Sequence, residues 1–170
     1  MGILGAASSG LAKPASLGNV KAFDAYSVYY AGQAISGVPL EEVEGDAWPD
    51  EKLRGWSFSY GDCALPEGEG GRSAPLQIQN YPTCRRWASA YPGEPRLFSF
   101  RGAKAAWVSS AGSLEIYTGR TTVVIFAHRA MLAKRASRLL RGVRESRPTR
   151  LPPPAPGSLW GDLPCQVKPG

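Results

Sequence analysis

Few residues in this chain of 170 carry side chains suited to covalent or acid–base chemistry: Cys63, Cys84, Cys165 and the single histidine, His128. A nucleophilic cysteine needs its thiolate stabilised by a base, a positive charge or a helix N-terminus. Cys84 meets part of that need, because Arg85 and Arg86 follow it and "TCRRWASAY" (83–91) reads as a short helix before Pro92. His128 lies 44 residues further on, and no local motif joins the two. Cys84 with His128 is therefore the enzyme alternative. The absence of a paired catalytic constellation or a cofactor motif favours a non-enzymatic protein, although a site assembled from scattered residues needs no motif.

Metal and phosphate chemistry find little support. No C-x-x-C or H-x₃-H pair pre-places two zinc ligands. Asp62, Glu67 and Glu69 do not match a calcium loop. "EGEGGR" (67–72) lacks phosphate-loop spacing, and its glutamates would repel an anion, so it reads as a turn. No cofactor and no metal are expected. The alternative for the cysteines is a staple. Cys63 ends one strand candidate, Cys84 follows another, and 20 residues lie between them. A Cys63–Cys84 disulfide would stabilise the fold by about 3 kcal/mol in the chain-entropy model and imply an oxidising compartment. Two inert free thiols are the other reading, and in either case Cys165 stands apart.

The second chemical feature is charge. Residues 129–150 hold eight basic side chains and one acidic one, whereas 1–128 hold 11 basic and 12 acidic. The net charge of +6 thus belongs to one short segment. "HRAMLAKRASRLLRGV" (128–143) places Leu132, Ala136, Leu139, Leu140 and Val143 on one helical face. Lys134, Arg135, Arg138 and Arg141 fall on the remaining surface, as a solvated face or as an electrostatic binder of anionic lipid or nucleic acid through 129–144. Interleaved aromatics, Asn or Gln are missing, so specific nucleic-acid recognition is disfavoured. The acidic segment Glu41, Glu42, Glu44, Asp46, Asp50 and Glu51 is an internal partner expected within a Debye length of this helix.

The elements that must position these residues are mostly strands. "GWSFSYG" (55–61) and "APLQIQNY" (74–81) alternate apolar and polar residues. "AYSVYYAG" (25–32), "RLFSFRG" (96–102), "AAWVSS" (105–110), "SLEIYTG" (113–119) and "TTVVIFA" (121–127) are further strand candidates. The continuous apolar run Val123–Phe126 predicts a central strand covered on both faces. The segment 36–55 reads as a long acidic connection, since Pro39 and Pro49 oppose a continuous helix. Gly and Pro together make about a fifth of the chain, which predicts many turns.

The expected organisation is a disordered segment 1–22, one domain over 23–146, and a Pro-rich disordered tail 147–170 in which Trp160 is either a docking anchor or exposed. The opening residues lack the charged n-region of a signal peptide, and no apolar run is long enough to span a bilayer. The fold class is α+β: a mostly antiparallel sheet of five to seven strands with one amphipathic C-terminal helix packed on a face. Trp56, Phe58, Leu76, Ile78, Leu114, Ile116, Val123, Ile125, Leu132 and Leu139 are the expected core.

The runs "YYAG", "GVPL", "YGDC", "PLQIQ" and "LEIYTGRTTVVIFA", spread over 25–143, resemble an uncharacterised actinobacterial-type family of exported or membrane-anchored proteins. The resemblance implies an extracytoplasmic or membrane-associated location and carries no activity to any residue. The expected function is a non-enzymatic, envelope-associated binding or assembly domain. Its expected partner is an envelope protein or an anionic membrane surface.

Overall fold

The apolar run at 123–126 sits at the middle of the architecture. The computed structural model describes residues 16–46, 51–62, 74–88, 95–163 and 165. Ten strands are described: β1 (Tyr29–Tyr30), β2 (Ala34–Ile35), β3 (Val38–Gly45), β4 (Trp56–Tyr60), β5 (Leu76–Pro82), β6 (Phe98–Phe100), β7 (Ala103–Val108), β8 (Ser113–Thr118), β9 (Thr121–Ala127) and β10 (Arg141–Gly142). The helices are α1 (Leu17–Ala22) and α2 (Ala130–Leu139). Eight strands form one sheet in the order β2-β3-β4-β5-β9-β8-β7-β6, and β1 pairs with β10 in a separate ribbon. Every pair of neighbours is antiparallel. The α+β class is as expected, with a sheet one strand wider than the expected range.

Strand register explains the two faces. Trp56, Asn80, Val123, Ile116 and Ala105 lie in one cross-strand row, and Phe58, Ile78, Ile125 and Leu114 in the next. These rows face the main core, with Val20 of α1, the β1 tyrosines and Ala133 and Ala136 of α2 packed in the same cluster. Eight of the ten expected core residues are buried there. Leu132 is half-buried and Leu139 is 37 % exposed, because the face that α2 turns inward carries Ala133, Ala136 and Ser137 and puts both leucines on its flanks. Leu140 is the residue that reaches the core.

Buried polar groups in this core are matched. Asn80 is fully buried, and its amide donates to the Tyr29 carbonyl and accepts from the Tyr29 N–H, both at 2.8 Å. The side chain thus does what a paired strand would do for a backbone that leaves the sheet. Tyr60 does the same for the next residues: its hydroxyl accepts from the Ala31 N–H at 3.0 Å and donates to the Gly32 carbonyl at 3.1 Å. Burial pushes the Tyr60 phenol well above its ordinary range.

Three expectations need correction. Within 1–22, residues 17–22 form α1, opened by a capping box of Ser16 and Asn19 and anchored by fully buried Val20; residues 1–15 lie outside the described residues. The acidic connection 36–55 contains β3. A register shift between Leu40 and Glu42 breaks the period-2 pattern, so Val43 rather than an even-numbered neighbour turns inward.

The Pro-rich tail is docked rather than disordered over 147–163. Leu151 is buried and its N–H donates to the Arg101 carbonyl at 2.8 Å. Pro152 accepts from the Thr118 hydroxyl at 2.7 Å, Pro153 accepts from the Gly119 N–H at 3.0 Å, and the Ala155 N–H returns to the Gly119 carbonyl at 2.7 Å. Prolines lack a donor but keep their carbonyls, and the strap uses those. Trp160 remains 59 % exposed.

Candidate ligand-binding cleft

The cleft forms where β9 hands over to α2. The His128 N–H donates to the Pro75 carbonyl at 3.1 Å, carrying the β5–β9 pairing one residue past the strands. The chain then turns at Arg129, the N-cap of α2, and α2 folds back along β9 with Ala133 and Ala136 buried. Small residues on that face let the helix lie close to the sheet, which leaves its larger side chains at the margins.

The opposite wall is the β2–β3 hairpin. Its two-residue turn has Ser36 and Gly37 at φ 52° and 82°, the left-handed pair that matches strand twist in tight hairpins. The Arg135 guanidinium donates to the Ser36 hydroxyl at 2.7 Å. Between helix and hairpin lies a cleft of about 440 Å³. Its apolar lining is Val38, Pro75, Met131 and Leu132, and its polar rim is Ser36, His128, Arg129 and Arg135. Met131 is 65 % exposed.

The N-terminus of α2 adds to the positive rim. Arg129 makes no side-chain capping bond, and the first turn contains no acidic residue. The unpaired N–H groups of a helix start and the aligned peptide dipoles favour an anion there. Basic residues at this end oppose the macrodipole, so the local sequence is unfavourable for the helix taken alone. The far end of α2 is well satisfied: the Arg101 guanidinium donates to the carbonyls of Ser137 and Leu140 at 3.1 and 2.8 Å and also to Thr149 in the strap.

Of the four basic residues expected to act together, three are exposed on α2 and the fourth, Arg141, follows it. Arg135 lines the cleft. Lys134 and Arg138 are exposed on the helix beyond it. Arg141 lies in β10 with its guanidinium over the Tyr30 ring at 5.2 Å. Of the acidic segment, Asp46 pairs with Arg85 at 2.8 Å rather than with α2. Sequence reasoning missed Arg129, and the signal was present in "HRAM": two basic-type residues ahead of a helix whose first turn has no acid.

The cysteine reading is corrected. Cys84 is bonded to Cys165, 81 residues away, so it is not paired with Cys63, which lies outside the described residues. Cys84 in this state offers no thiolate. His128 is also remote from it: His128 abuts Pro75 at one end of β5, Cys84 follows Pro82 at the other, and the strand between spans roughly 20 Å. The Cys84–His128 pair does not form. Among the described residues no group of three or more His, Cys, Asp and Glu side chains is placed to hold a metal. Among the same residues no helix is long and apolar enough to cross a membrane.

No protein-family model matches this chain, no curated protein matches its sequence, and no solved structure matches its fold.

Proposed function

We infer that this protein is a non-enzymatic binding domain that takes an anionic amphiphile, a molecule with an alkyl chain and an anionic head, in the cleft between α2 and the β2–β3 hairpin. One observation carries the reading: an apolar trough of ligand size opens beside a rim of Arg129, Arg135 and the uncapped start of α2. The alkyl chain would lie along Val38, Pro75, Met131 and Leu132, each buried methylene contributing about 0.8 kcal/mol. The head would meet the guanidiniums and the helix N-terminus, where charge-assisted hydrogen bonds are the strong ones. The ligand class fits an envelope role, and an extracytoplasmic location is supported by the Cys84–Cys165 bond and by the resemblance noted in the sequence.

Calorimetric titration with monomeric dodecanoate tests this reading, with dodecyl maltoside as the uncharged control. Saturable one-to-one binding of dodecanoate, weakened by Arg129→Gln and Arg135→Gln, is the expected result. Equal affinity for both amphiphiles would remove the role of the basic rim.

A further inference from the structure

The outer face of the sheet changes character along its width. Over β7–β9 it is closed by Ala88, Ala106 and Tyr117, with Leu97 and Leu159 packed on them. Beneath the same cover, fully buried Glu115 accepts from Arg86 at 2.8 Å and from the Tyr117 hydroxyl at 2.9 Å. Over β3–β5 the composition is different. Register places Glu44, Ser57 and Gln79 in one row and Glu42, Ser59 and Gln77 in the next. Each row runs carboxylate, hydroxyl, amide.

These side chains are ordered by one another. The Tyr81 hydroxyl donates to the Gln79 carbonyl oxygen at 2.7 Å, the Gln79 amide donates to the Gln77 carbonyl oxygen at 2.7 Å, and the Gln77 amide donates to the Ser59 hydroxyl at 3.4 Å. A primary amide has two donor hydrogens and two acceptor lone pairs, so each glutamine in this relay retains capacity for a ligand. A groove of about 300 Å³ lies along the relay, lined by Glu44, Asp46, Ser57, Gln77, Gln79 and Tyr81. Ser57 forms the floor of the groove between Glu44 and Gln79, and its small side chain leaves room above it.

We propose that this groove is a second binding site, for a neutral sugar. A sugar hydroxyl both donates and accepts, which matches the acceptor carboxylate of Glu44 on one side of the groove and the amides of Gln77 and Gln79 on the other. Asp46 does not compete for the ligand: one of its oxygens accepts from the Gly55 N–H at 2.8 Å and the other pairs with Arg85 at 2.8 Å. Gly55 keeps the end of the groove open, since a Cβ there would lie 2.7 Å from Asp46 and 3.0 Å from the Tyr81 ring. Glu44 in the lining disfavours an anionic sugar, while the guanidiniums of Arg85 and Arg86 lie over the Tyr81 ring at the far end, with Arg85 already paired to Asp46. Burial and the neighbouring Glu42 charge raise the Glu44 carboxyl above its ordinary value, a sign that negative charge is already crowded at this face. The site is independent of the amphiphile cleft, which lies beside α2 and carries the opposite charge.

The test is amide-resolved NMR titration of the whole protein with maltotriose, cellotriose and chitotriose, and with trigalacturonate as the anionic counterpart. At least one neutral trisaccharide should bind with millimolar affinity and shift the Gln77 and Gln79 side-chain amides and the Ser57 backbone amide. Gln79→Ala should weaken that binding about tenfold, the loss of roughly one hydrogen-bonded contact, while the thermal midpoint is retained. Gln77→Ala serves as the second variant should Gln79→Ala lower that midpoint, with the same weakening expected. Absence of shifts from all three neutral sugars at tens of millimolar would overturn the proposal. So would shifts located elsewhere on the protein, or trigalacturonate binding as well as the neutral sugars.

Discussion

Arg135 of α2 donates to the hydroxyl of Ser36 at 2.7 Å, across 99 residues of sequence. This bond ties the basic helix to the tip of the β2–β3 hairpin and sets the width of the apolar cleft between them. It is solvent-exposed, so its own contribution to stability is small, of the order of 0.5–1 kcal/mol. Its importance is positional. Ser36→Ala should therefore leave the thermal midpoint within a few degrees and weaken dodecanoate binding several-fold, measured by calorimetry. A large fall in the midpoint with unchanged affinity would mean that the bond holds the fold and not the cleft.

The strap from 147 onward is locked at its end by Cys84–Cys165. Closing a loop of 81 residues constrains the unfolded chain more than a short loop does, by about 4–5 kcal/mol in the chain-entropy model. Cys165→Ser should lower stability toward urea by an amount of that order and increase proteolytic cleavage after residue 157. Non-reducing peptide mapping of the native protein should recover a Cys84–Cys165 peptide pair. Recovery of Cys63–Cys84 instead would contradict the placement of the strap.

Glu115 is fully buried against Arg86 and the Tyr117 hydroxyl. Removing the cation from a buried carboxylate costs up to about 3–5 kcal/mol. Arg86→Ala, which leaves the fully buried Glu115 carboxylate, should approach that range by denaturant unfolding, and Glu115→Ala, which leaves the partly exposed Arg86, should cost less. The Arg86→Ala, Glu115→Ala double variant should lose less than the sum of the singles. Additive losses would show that the two side chains act separately.

The Glu44 carboxyl titrates above its ordinary value of 4.5 because of burial and the Glu42 charge. A carboxyl raised in the folded state binds more protons there than in the unfolded chain, so its contribution to stability falls as pH rises through the window above 4.5 and stays low beyond it. Glu44→Gln should raise the thermal midpoint near neutral pH and have little effect in acid, below the unfolded value. The reverse order of effects, with the gain confined to acid, would rule out the crowding of Glu42 and Glu44.

Much of this architecture is legible in the sequence because local pattern and tertiary position agree. Trp56-Ser57-Phe58-Ser59-Tyr60 and Leu76-Gln77-Ile78-Gln79 alternate, and their apolar members are buried in the core while their polar members face the opposite side. The run Val123–Phe126 lies in the strand between β5 and β8. What stayed hidden rests on long-range geometry. The bulge at Leu40/Glu42 disguised β3 by shifting Val43 out of phase. Proline content suggested disorder in a strap held by proline carbonyls and side-chain hydroxyls. The cysteines nearest in sequence suggested a local staple, whereas the bond that forms closes a loop of 81 residues. The basic residues looked like one surface because they share a segment, but the end of α2 at Leu139 sends Arg141 into a strand and leaves Arg135 alone of the four on the cleft.

The most direct test of the amphiphile cleft uses its exposed thioether. The chain has two methionines, Met1 and Met131, so methyl-labelled protein gives two signals, assigned by Met131→Leu. On titration with monomeric dodecanoate the Met131 methyl signal should shift to saturation along a one-site isotherm, and Arg129→Gln with Arg135→Gln should move that isotherm to higher concentration by about tenfold or more. A Met131 signal that stays in place while dodecanoate binds, or that moves identically with dodecyl maltoside, would contradict an anion-selective cleft between α2 and the hairpin.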